Sequence, residues 1–293
     1  MVQLIQLSDT HLMAQEDGIL YDREPCATLE QIMERVRERF PRVRMAVLTG
    51  DLTQDGEPEA YRLLERTLAP FRCPVYALPG NHDDPDMMAK ELTGSPVRVA
   101  RSVIMSGWNI IFLNSAVPGE PGGHLTEDEL NRLDELLKER GDMPALIALH
   151  HHPVPIDSAW MDAIALDNPE DFFTVIDRHL HVKGVIFGHV HQSVDQDRGP
   201  VRFLGAPSTL SQFQPRTDEP VPSDVAPGYR WLTLHPDGRI ETGVEYLDGE
   251  EEQSNQREMK DKVPQQEPTG DATSDESSKE NDSVQNSTRG ESA

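Results

Sequence analysis

Short apolar runs alternate with longer amphipathic segments along most of the chain. Each run is bounded by polar or glycine-containing turns, a pattern typical of buried β-strands. The runs cover residues 2–7, 45–48, 75–78, 145–149 and 182–187. Their alternation with helical segments predicts parallel-type strands in a mixed α/β fold.

Three segments between these strands have helical periodicity. Residues 25–40 and 57–69 carry apolar side chains at the spacing of one helix face. A third helix is predicted over residues 126–140, because the segment opens with the capping box Thr-Glu-Asp-Glu. Two further strands, over residues 99–105 and 108–113, are expected to form a hairpin.

The pattern changes beyond residue 192 to strands and tight turns. Strands are predicted over residues 193–196, 201–204, 229–234 and 239–246, joined by turns such as Pro236-Asp237-Gly238. We expect these strands to form an antiparallel sheet that closes one domain, which spans residues 1–247.

Residues 248–293 differ in composition from the rest of the chain. They contain no aromatic residue, and 13 acidic side chains outnumber 5 basic ones. Such a segment buries too little apolar area to offset the entropy lost on ordering. The sequence therefore predicts a disordered acidic tail that the chemistry does not require.

Net charge and cysteine content restrict the class of protein. A formal charge of −25 disfavours binding to nucleic acid or to an anionic membrane surface. The two cysteines indicate no disulfide framework and fit a reducing compartment. No run approaches the roughly 20 apolar residues of a membrane-spanning helix. Because a candidate catalytic residue, Asp9, lies too near the start for a cleaved signal peptide, we expect a cytoplasmic protein.

Polar side chains follow five of the predicted strands at the point where each strand ends. Taken singly, each is explained by a helix cap, a turn or a buried histidine. Together they indicate one site, because ligands bind at the carboxyl ends of strands in α/β sheets. Their oxygen and imidazole groups suit a pair of divalent Mn, Fe or Zn ions rather than Mg or Ca. The five motifs are Asp9-Thr10-His11, Gly50-Asp51, Gly80-Asn81-His82-Asp83, His150, and Gly188-His189-Val190-His191.

These five ordered motifs resemble those of calcineurin-like metallophosphoesterases, over about residues 1–247. The resemblance implies a β-sandwich of two mixed sheets flanked by helices, and two divalent metal ions per subunit, with Fe or Mn favoured over Zn. Two such ions can lower the pKa of a shared water and neutralise charge on phosphoryl oxygens. The implied ligands are Asp9, His11 and His191 for one metal, Asn81, His150 and His189 for the other, and Asp51 as the bridge.

The resemblance also implies roles around the metals. His82 is the expected proton donor to the leaving oxygen, and Asp83 is expected to orient its ring. His151 and His152 are expected to lie behind the ligands or on the substrate side, since one histidine of that run suffices. The side chains implied to contact the substrate are His11, Asp51, Asn81, His82, His150 and His191.

The loops around the motifs are similar to those of the class III 3′,5′-cyclic AMP phosphodiesterases within this superfamily. The matching stretches include His150-His151-His152-Pro153, residues 158–162, Pro207-Ser208-Thr209, Gln212-Phe213 and residues 227–230. The implied reaction is hydrolysis of cyclic AMP to 5′-AMP. Another phosphoester substrate and a non-catalytic scaffold remain the alternatives, and the oligomeric state stays open.

Aromatic residues near these loops suggest how a base could be held. Trp160 or Phe213 could stack on a purine, or both could pack beneath loops.

Overall fold

A computed structural model describes residues 1–248 and the backbone of residues 251–253. The helices are α1 (Pro25–Arg39), α2 (Pro58–Leu68), α3 (Pro85–Glu91), α4 (Glu127–Arg140), α5 (Ala159–Asp162) and α6 (Pro169–Ile176). The strands are β1 (Val2–Leu7), β2 (Met45–Thr49), β3 (Val75–Leu78), β4 (Val97–Val99), β5 (Ser102–Met105), β6 (Trp108–Phe112), β7 (Ala145–Leu149), β8 (Val182–Phe187), β9 (Val194–Arg198), β10 (Val201–Gly205), β11 (Gln212–Phe213), β12 (Pro222–Ser223), β13 (Gly228–Leu234), β14 (Ile240–Tyr246) and β15 (Glu251–Gln253).

Two mixed sheets form the centre of the fold. The first has the order β15-β14-β13-β1-β2-β3-β4, in which β1 to β4 run parallel and β13 joins β1 antiparallel. The second has the order β5-β6-β7-β8-β10-β9, with β6, β7, β8 and β10 parallel. A small hairpin pairs β11 with β12.

Alternating side chains along β1 divide the core into layers. Leu4 packs with residues of both sheets, including Leu146 of β7, so this cluster fills the space between the sheets. Ile5 points the other way and packs with Leu29 of α1 and Leu64 of α2. On the outer face of the second sheet, residues of α4 and α6 cover β7 and β8. The predicted sandwich of two mixed sheets flanked by helices is confirmed.

Two strand predictions differ from the structure. The expected hairpin forms between β5 and β6, but its first strand begins at Ser102, and residue 99 belongs instead to β4 in the other sheet. The expected antiparallel closing sheet does not form as a separate layer. Instead β13 and β14 extend the first sheet from β1, and β9 and β10 extend the second from β8. The sequence neighbours β9 and β10, and β13 and β14, do pair with each other, but each pair is also bonded to an earlier strand, β8 or β1.

The capping box at the start of α4 forms only in part. The Thr126 hydroxyl accepts a hydrogen bond from the Glu129 backbone N–H at 3.2 Å. The Glu129 carboxylate instead accepts from the Asn114 backbone N–H at 2.8 Å and pairs with Arg132. The helix start is therefore fixed to the loop that follows β6.

None of the helices in residues 1–248 has the length and the apolar run that a bilayer crossing requires. The acidic tail predicted over residues 248–293 lies outside the described residues, apart from Asp248 and the short strand β15. The boundary at residue 247 stays a prediction.

Candidate metal centre

The candidate residues lie where β1, β2, β3, β7 and β8 end. The first three strands belong to one sheet, and the last two belong to the other. The carboxyl ends of both sets of parallel strands meet along one edge of the sandwich. The cluster therefore lies at the junction of the two sheets.

The backbone at this edge adopts conformations that non-glycine residues rarely take. Asp9, His11, Asp51, His189 and His191 all have positive φ, between 44° and 69°. Such conformations store strain and concentrate at functional sites, because the surrounding packing must impose them. The turns after β1, β2 and β8 are thus bent so that they aim polar side chains at one point.

Two glycines permit the close approach of these turns. A Cβ on Gly80 would lie 2.1 Å from Asp51 Oδ1, and one on Gly188 would lie 2.1 Å from Ser8 Oγ. Gly50 combines two reasons, because its φ is +91° and a Cβ there would lie 2.4 Å from His150 Nδ1. All three positions preceding candidate ligands therefore require glycine, for two separate reasons.

One group of donors consists of Asp9, His11 and His191, all buried. The Nε2 atoms of His11 and His191 are 3.3 Å apart, and His191 Nε2 lies 3.4 Å from Asp9 Oδ1. His191 Nδ1 donates to the Ser211 carbonyl at 2.7 Å, since a carbonyl can only accept. The lone pair of its Nε2 is thereby directed into the group.

A second group of donors surrounds His150. Its Nε2 lies 3.1 Å from Asn81 Oδ1 and 3.4 Å from Asp51 Oδ1, while its Nδ1 donates to the Thr49 carbonyl at 2.8 Å. The His189 ring is 5.0 Å from the His150 ring. Its Nε2 donates to the Ile164 carbonyl at 3.1 Å, which leaves Nδ1 as the free ring nitrogen.

Asp51 connects the two groups. Its Oδ2 lies 3.8 Å from His11 Nε2 in the first group, and its Oδ1 lies 3.4 Å from His150 Nε2 in the second. Oδ1 also accepts a hydrogen bond from the His82 backbone N–H at 3.0 Å. One carboxylate is thus held between both sets of imidazoles.

Protonation equilibria of the histidines reflect this crowding of donors. Burial lowers the pKa of His11 to about 4 and moves that of His189 well below its ordinary value. Burial also opposes charge on His150 and His191, but the nearby Asp51 raises the pKa of His150 to about 9, and Asp9 raises that of His191.

The two carboxylates show the complementary effect. Burial alone would raise the pKa of Asp9 and of Asp51, yet the facing histidines outweigh burial and lower both. The carboxylates of Asp9 and Asp51 are therefore stabilised by positive charge at the centre of the cluster. Imidazole and carboxylate donors of this kind fit divalent transition metals, so the residues present suit the metals that the sequence predicted.

His82 lies at the open side of the cluster, with its ring edge-on to His11 at 5.0 Å. Its Nδ1 donates to the Gln54 carbonyl at 2.9 Å, which leaves Nε2 free to face a ligand. The expectation that Asp83 orients this ring was wrong. The Asp83 carboxylate accepts from the backbone N–H groups of Leu52, Thr53 and Gly80 and from the Tyr61 hydroxyl.

The Asp83 carboxylate therefore links the loop after β2 to the loop after β3 by hydrogen bonds. Burial, followed by repulsion from Asp51, raises its pKa to about 6. A catalytic role was predicted because Asp83 follows His82, but the turn directs its carboxylate to the backbone N–H groups of the two loops.

His151 and His152 occupy different environments. The His151 ring is 4.7 Å from that of His189, and its Nδ1 lies 2.8 Å from Ser115 Oγ. Its buried Nε2 has no hydrogen-bond partner in the part of the chain that the structure describes. His152 Nε2 lies 3.2 Å from Asp162 Oδ1, behind the cluster. His151, with His150 and His189, forms a further set of possible ligands.

Trp160 and Phe213 pack against each other at the edge of the centre, with ring centroids 5.0 Å apart. Phe213 also lies 5.0 Å from the His191 ring. Both aromatic residues are partly buried against the outer core of the second sheet.

Four backbone carbonyls accept protons from the histidine rings of the cluster, those of Thr49, Gln54, Ile164 and Ser211. They were not found from the sequence, because any residue type carries a carbonyl.

Comparison with known proteins adds the family. The model of the family described as calcineurin-like phosphoesterase matches residues 2–193. The chain is 39% identical to the 3′,5′-cyclic adenosine monophosphate phosphodiesterase CpdA of Pseudomonas aeruginosa, with 84% of this chain and 90% of the relative covered. It is 38% identical to a 3′,5′-cyclic-nucleotide phosphodiesterase of Nostoc, with 83% and 92% covered.

A similar relationship holds for CpdA of Escherichia coli K12, at 36% identity with 84% of this chain and 90% of the relative covered. Among solved structures, a dimetal phosphatase from Danio rerio has a TM-score of 0.63 at 15% identity, with 84% of this chain and 95% of that chain covered. At that identity the likeness concerns the fold alone. From the family match and these relatives, the chain belongs to the calcineurin-like phosphoesterase family.

Proposed function

We propose that this chain hydrolyses 3′,5′-cyclic AMP to 5′-AMP with the aid of two divalent metal ions. The observation that carries the proposal is the buried cluster in which Asp51 lies between two groups of imidazole donors. Relatives that share 36–39% of their residues with this chain are named as cyclic AMP phosphodiesterases.

Each metal has its own proposed set of ligands. Asp9, His11 and His191 hold one ion, Asn81, His150 and His189 hold the other, and Asp51 contacts both. The carbonyl oxygens of Thr49, Ile164 and Ser211 support this assignment, because each accepts a proton from one ring nitrogen and leaves the other for a metal.

Iron and manganese are the proposed metals, ahead of zinc. When bound, they supply Lewis-acid neutralisation of phosphoryl charge and lower the pKa of water. The side chains proposed to contact the substrate are His11, Asp51, Asn81, His82, His150 and His191.

His82 is the proposed proton donor to the leaving oxygen. Formation of 5′-AMP breaks the bond between phosphorus and O3′, and O3′ must gain a proton as it leaves. The Gln54 carbonyl holds the Nδ1 proton of His82, so Nε2 is the nitrogen that delivers the proton. Asp83 acts by fixing the loop that carries this histidine.

Product analysis tests the proposal. Purified protein supplied in turn with Mn²⁺, Fe²⁺ and Zn²⁺ is expected to convert cyclic AMP into 5′-AMP, and a chelator is expected to stop the conversion. Cleavage of bis(p-nitrophenyl) phosphate with cyclic AMP left intact would contradict the substrate and favour another phosphodiester.

The ligand assignment is tested by Asn81→Ala. Loss of one ligand is expected to lower kcat/KM by about 100-fold or more. Asn131→Ala is the matched control, because Asn131 is exposed on α4 and its replacement should leave turnover unchanged. Full turnover in Asn81→Ala would contradict the ligand assignment, because it would show that the reaction does not depend on this site.

A further inference from the structure

A cavity of about 450 Å³ lies beside the first donor group, within the size range of small-molecule sites. One wall is the loop segment at Tyr21, and the other is the hairpin of β11 and β12 with Ser211 and Phe213. Ser211 and Phe213 also contact His191, through the carbonyl at 2.7 Å and the ring at 5.0 Å. The cavity therefore adjoins the candidate metal centre.

Two aromatic rings form the apolar part of this cavity. Tyr21 and Phe213 meet edge to face with centroids 6.2 Å apart. Tyr21 is 48% exposed, so a large apolar surface faces water next to the site. Base stacking on aromatic side chains is a common means of holding a nucleobase.

The backbone at Tyr21 is strained. Leu20 and Arg23 exchange backbone hydrogen bonds at 2.9 and 3.1 Å, and the two residues between them, Tyr21 and Asp22, have φ of 52° and 59°. This geometry is a two-residue turn of type I′, which favours Asn-Gly at its centre. A tyrosine there costs stability, and such costs concentrate at functional sites.

The opposite wall is fixed to the metal centre. Gln212 lies at the base of the hairpin, accepts from the Ser208 N–H at 3.0 Å and donates to the Ser208 carbonyl at 2.7 Å. The Ser208 hydroxyl in turn donates to the Asp9 carbonyl at 2.8 Å. The position of Phe213 is thus set relative to Asp9.

We propose that this cavity binds the nucleobase of the cyclic nucleotide, with Tyr21 and Phe213 as its stacking surfaces. The inference rests on the function proposed above, because one ribose carries both the base and the phosphate held at the metals. Ser211 Oγ is buried without a partner among the described residues and provides a hydrogen-bonding group for the base. The Asp22 and Asp224 carboxylates at the cavity accept from base amino groups.

A second cavity, of about 650 Å³, lies on the side of Ile164 and Gly123. No Phe, Tyr or Trp is among the described residues that line it. The described residues that line it include the acidic side chains of Glu120, Glu129 and Asp167 and the imidazole of His124, and none of the large aromatic rings on which a base stacks. The cavity at Tyr21 is therefore the better match to a base.

The test compares two substrates on two variants. Cyclic AMP is set against methyl riboside 3′,5′-cyclic phosphate, which has the same phosphodiester and no base. Wild-type protein is expected to have a KM for cyclic AMP about tenfold or more below that for the base-free compound. Tyr21→Asn should raise KM for cyclic AMP by about tenfold and leave kcat/KM for the base-free compound within about twofold.

Tyr21→Phe is the matched variant, because it keeps the ring and should keep the low KM. Asparagine suits the type I′ turn, so Tyr21→Asn is expected to have an equal or higher Tm, which excludes misfolding as the cause. Equilibrium binding of 5′-AMP, measured by calorimetry against ribose 5-phosphate, should lose its preference for AMP in the same variant.

The outcomes separate the two proposals. Wild-type protein that cleaves both substrates with equal KM, or a Tyr21→Asn variant that affects both equally, overturns the base site and leaves the proposed reaction intact. Wild-type protein that cleaves neither compound overturns the reaction itself.

Discussion

Backbone carbonyl oxygens determine which nitrogen of each buried histidine faces the donor cluster. Thr49 and Ser211 hold the Nδ1 protons of His150 and His191, whereas Ile164 holds the Nε2 proton of His189. Because a carbonyl only accepts, the other nitrogen is left with its lone pair. The backbone therefore selects which nitrogen of each ring is protonated, and the side chains of Thr49, Ile164 and Ser211 take no part in this selection.

A single methyl group is expected to disrupt the centre at Gly80. A Cβ in Gly80→Ala would lie 2.1 Å from Asp51 Oδ1 and 2.3 Å from its backbone nitrogen, so the Asp51 carboxylate must move. We expect kcat/KM to fall by about 100-fold, since displacements near 1 Å can cost this much.

Gly122→Ala is the matched control for this change. Its nearest heavy atom would lie at 3.6 Å, an ordinary contact, and activity should be retained. Steady-state kinetics and metal content of both variants check the prediction. Equal activity in the two variants would show that Asp51 need not hold its present position.

For individual residues, the sequence identifies those whose side chains can bind metals or transfer protons, and it misses those that act through their main-chain carbonyls. His150 and His189 stand out because imidazoles follow apolar strands. The carbonyls that fix them have no sequence signature. Asp83 shows the reverse error, because proximity along the chain to His82 suggested a contact that the turn geometry prevents.

Among the larger elements, α2 supports the loop that carries Asn81 and His82. The Tyr61 hydroxyl of this helix donates to Asp83 Oδ1 at 3.1 Å and accepts from the Asp84 backbone N–H at 2.9 Å. Asp84 then caps α3, accepting from the N–H groups of Asp86 and Met87. Helix, loop and helix are linked by one chain of hydrogen bonds.

Tyr61→Phe should therefore destabilise the fold. The change leaves the Asp84 N–H without its acceptor and removes a donor from a buried carboxylate, which costs about 1–3 kcal/mol in the free energy of unfolding. Urea denaturation monitored by tryptophan fluorescence measures it.

Tyr76→Phe provides the comparison, because the Tyr76 ring stacks on Phe112 and its hydroxyl has no hydrogen bond among the described residues. That variant should remain within about 0.5 kcal/mol of wild type. Similar losses in both variants would mean that the Tyr61 hydroxyl contributes nothing specific.

Element prediction worked where periodicity was uninterrupted and failed where pairing partners were distant. Helices α1 and α2 end within a residue or two of the predicted bounds. Helix α3 was missed although Asp84-Pro85 is a cap followed by proline at the first position. The pairing of β13 with β1 joins strands from opposite ends of the domain, so no local pattern reveals it.

On the scale of the whole molecule, the donor cluster spans both halves of the sandwich. The first sheet supplies Asp9, His11, Asp51 and Asn81, and the second supplies His150, His189 and His191. If two sheets are assumed, the order of the motifs along the chain already predicts that the early donors lie on one sheet and the late donors on the other. The sequence did not reveal that the last strands, β9, β10, β13 and β14, would extend these same two sheets.

Metal removal should lower thermal stability, because an ion that binds only the folded state stabilises it. At about 100 times Kd, the gain is about 2.7 kcal/mol per site, which corresponds to a Tm change of roughly 5–10 °C in a domain of this size. Scanning calorimetry with Mn²⁺ and with a chelator measures this difference.

The same experiment on Asp51→Asn is the control. The carboxylate between the two donor groups is lost, so most of the metal-dependent change in Tm should disappear, whatever the stability of the variant itself. A wild-type Tm that is indifferent to chelation would contradict the proposed ligand set.

The distribution of the donors along the chain also has a consequence for synthesis. Asp9 leaves the ribosome long before His191, and the hairpin that carries Phe213 follows later still. All seven proposed ligands have been made once residue 191 is added, but β13, which pairs with β1 beside Asp9, follows only at residues 228–234. Hydrolytic competence is therefore expected to arise in one late step, when these segments come together, instead of accumulating as each strand is added.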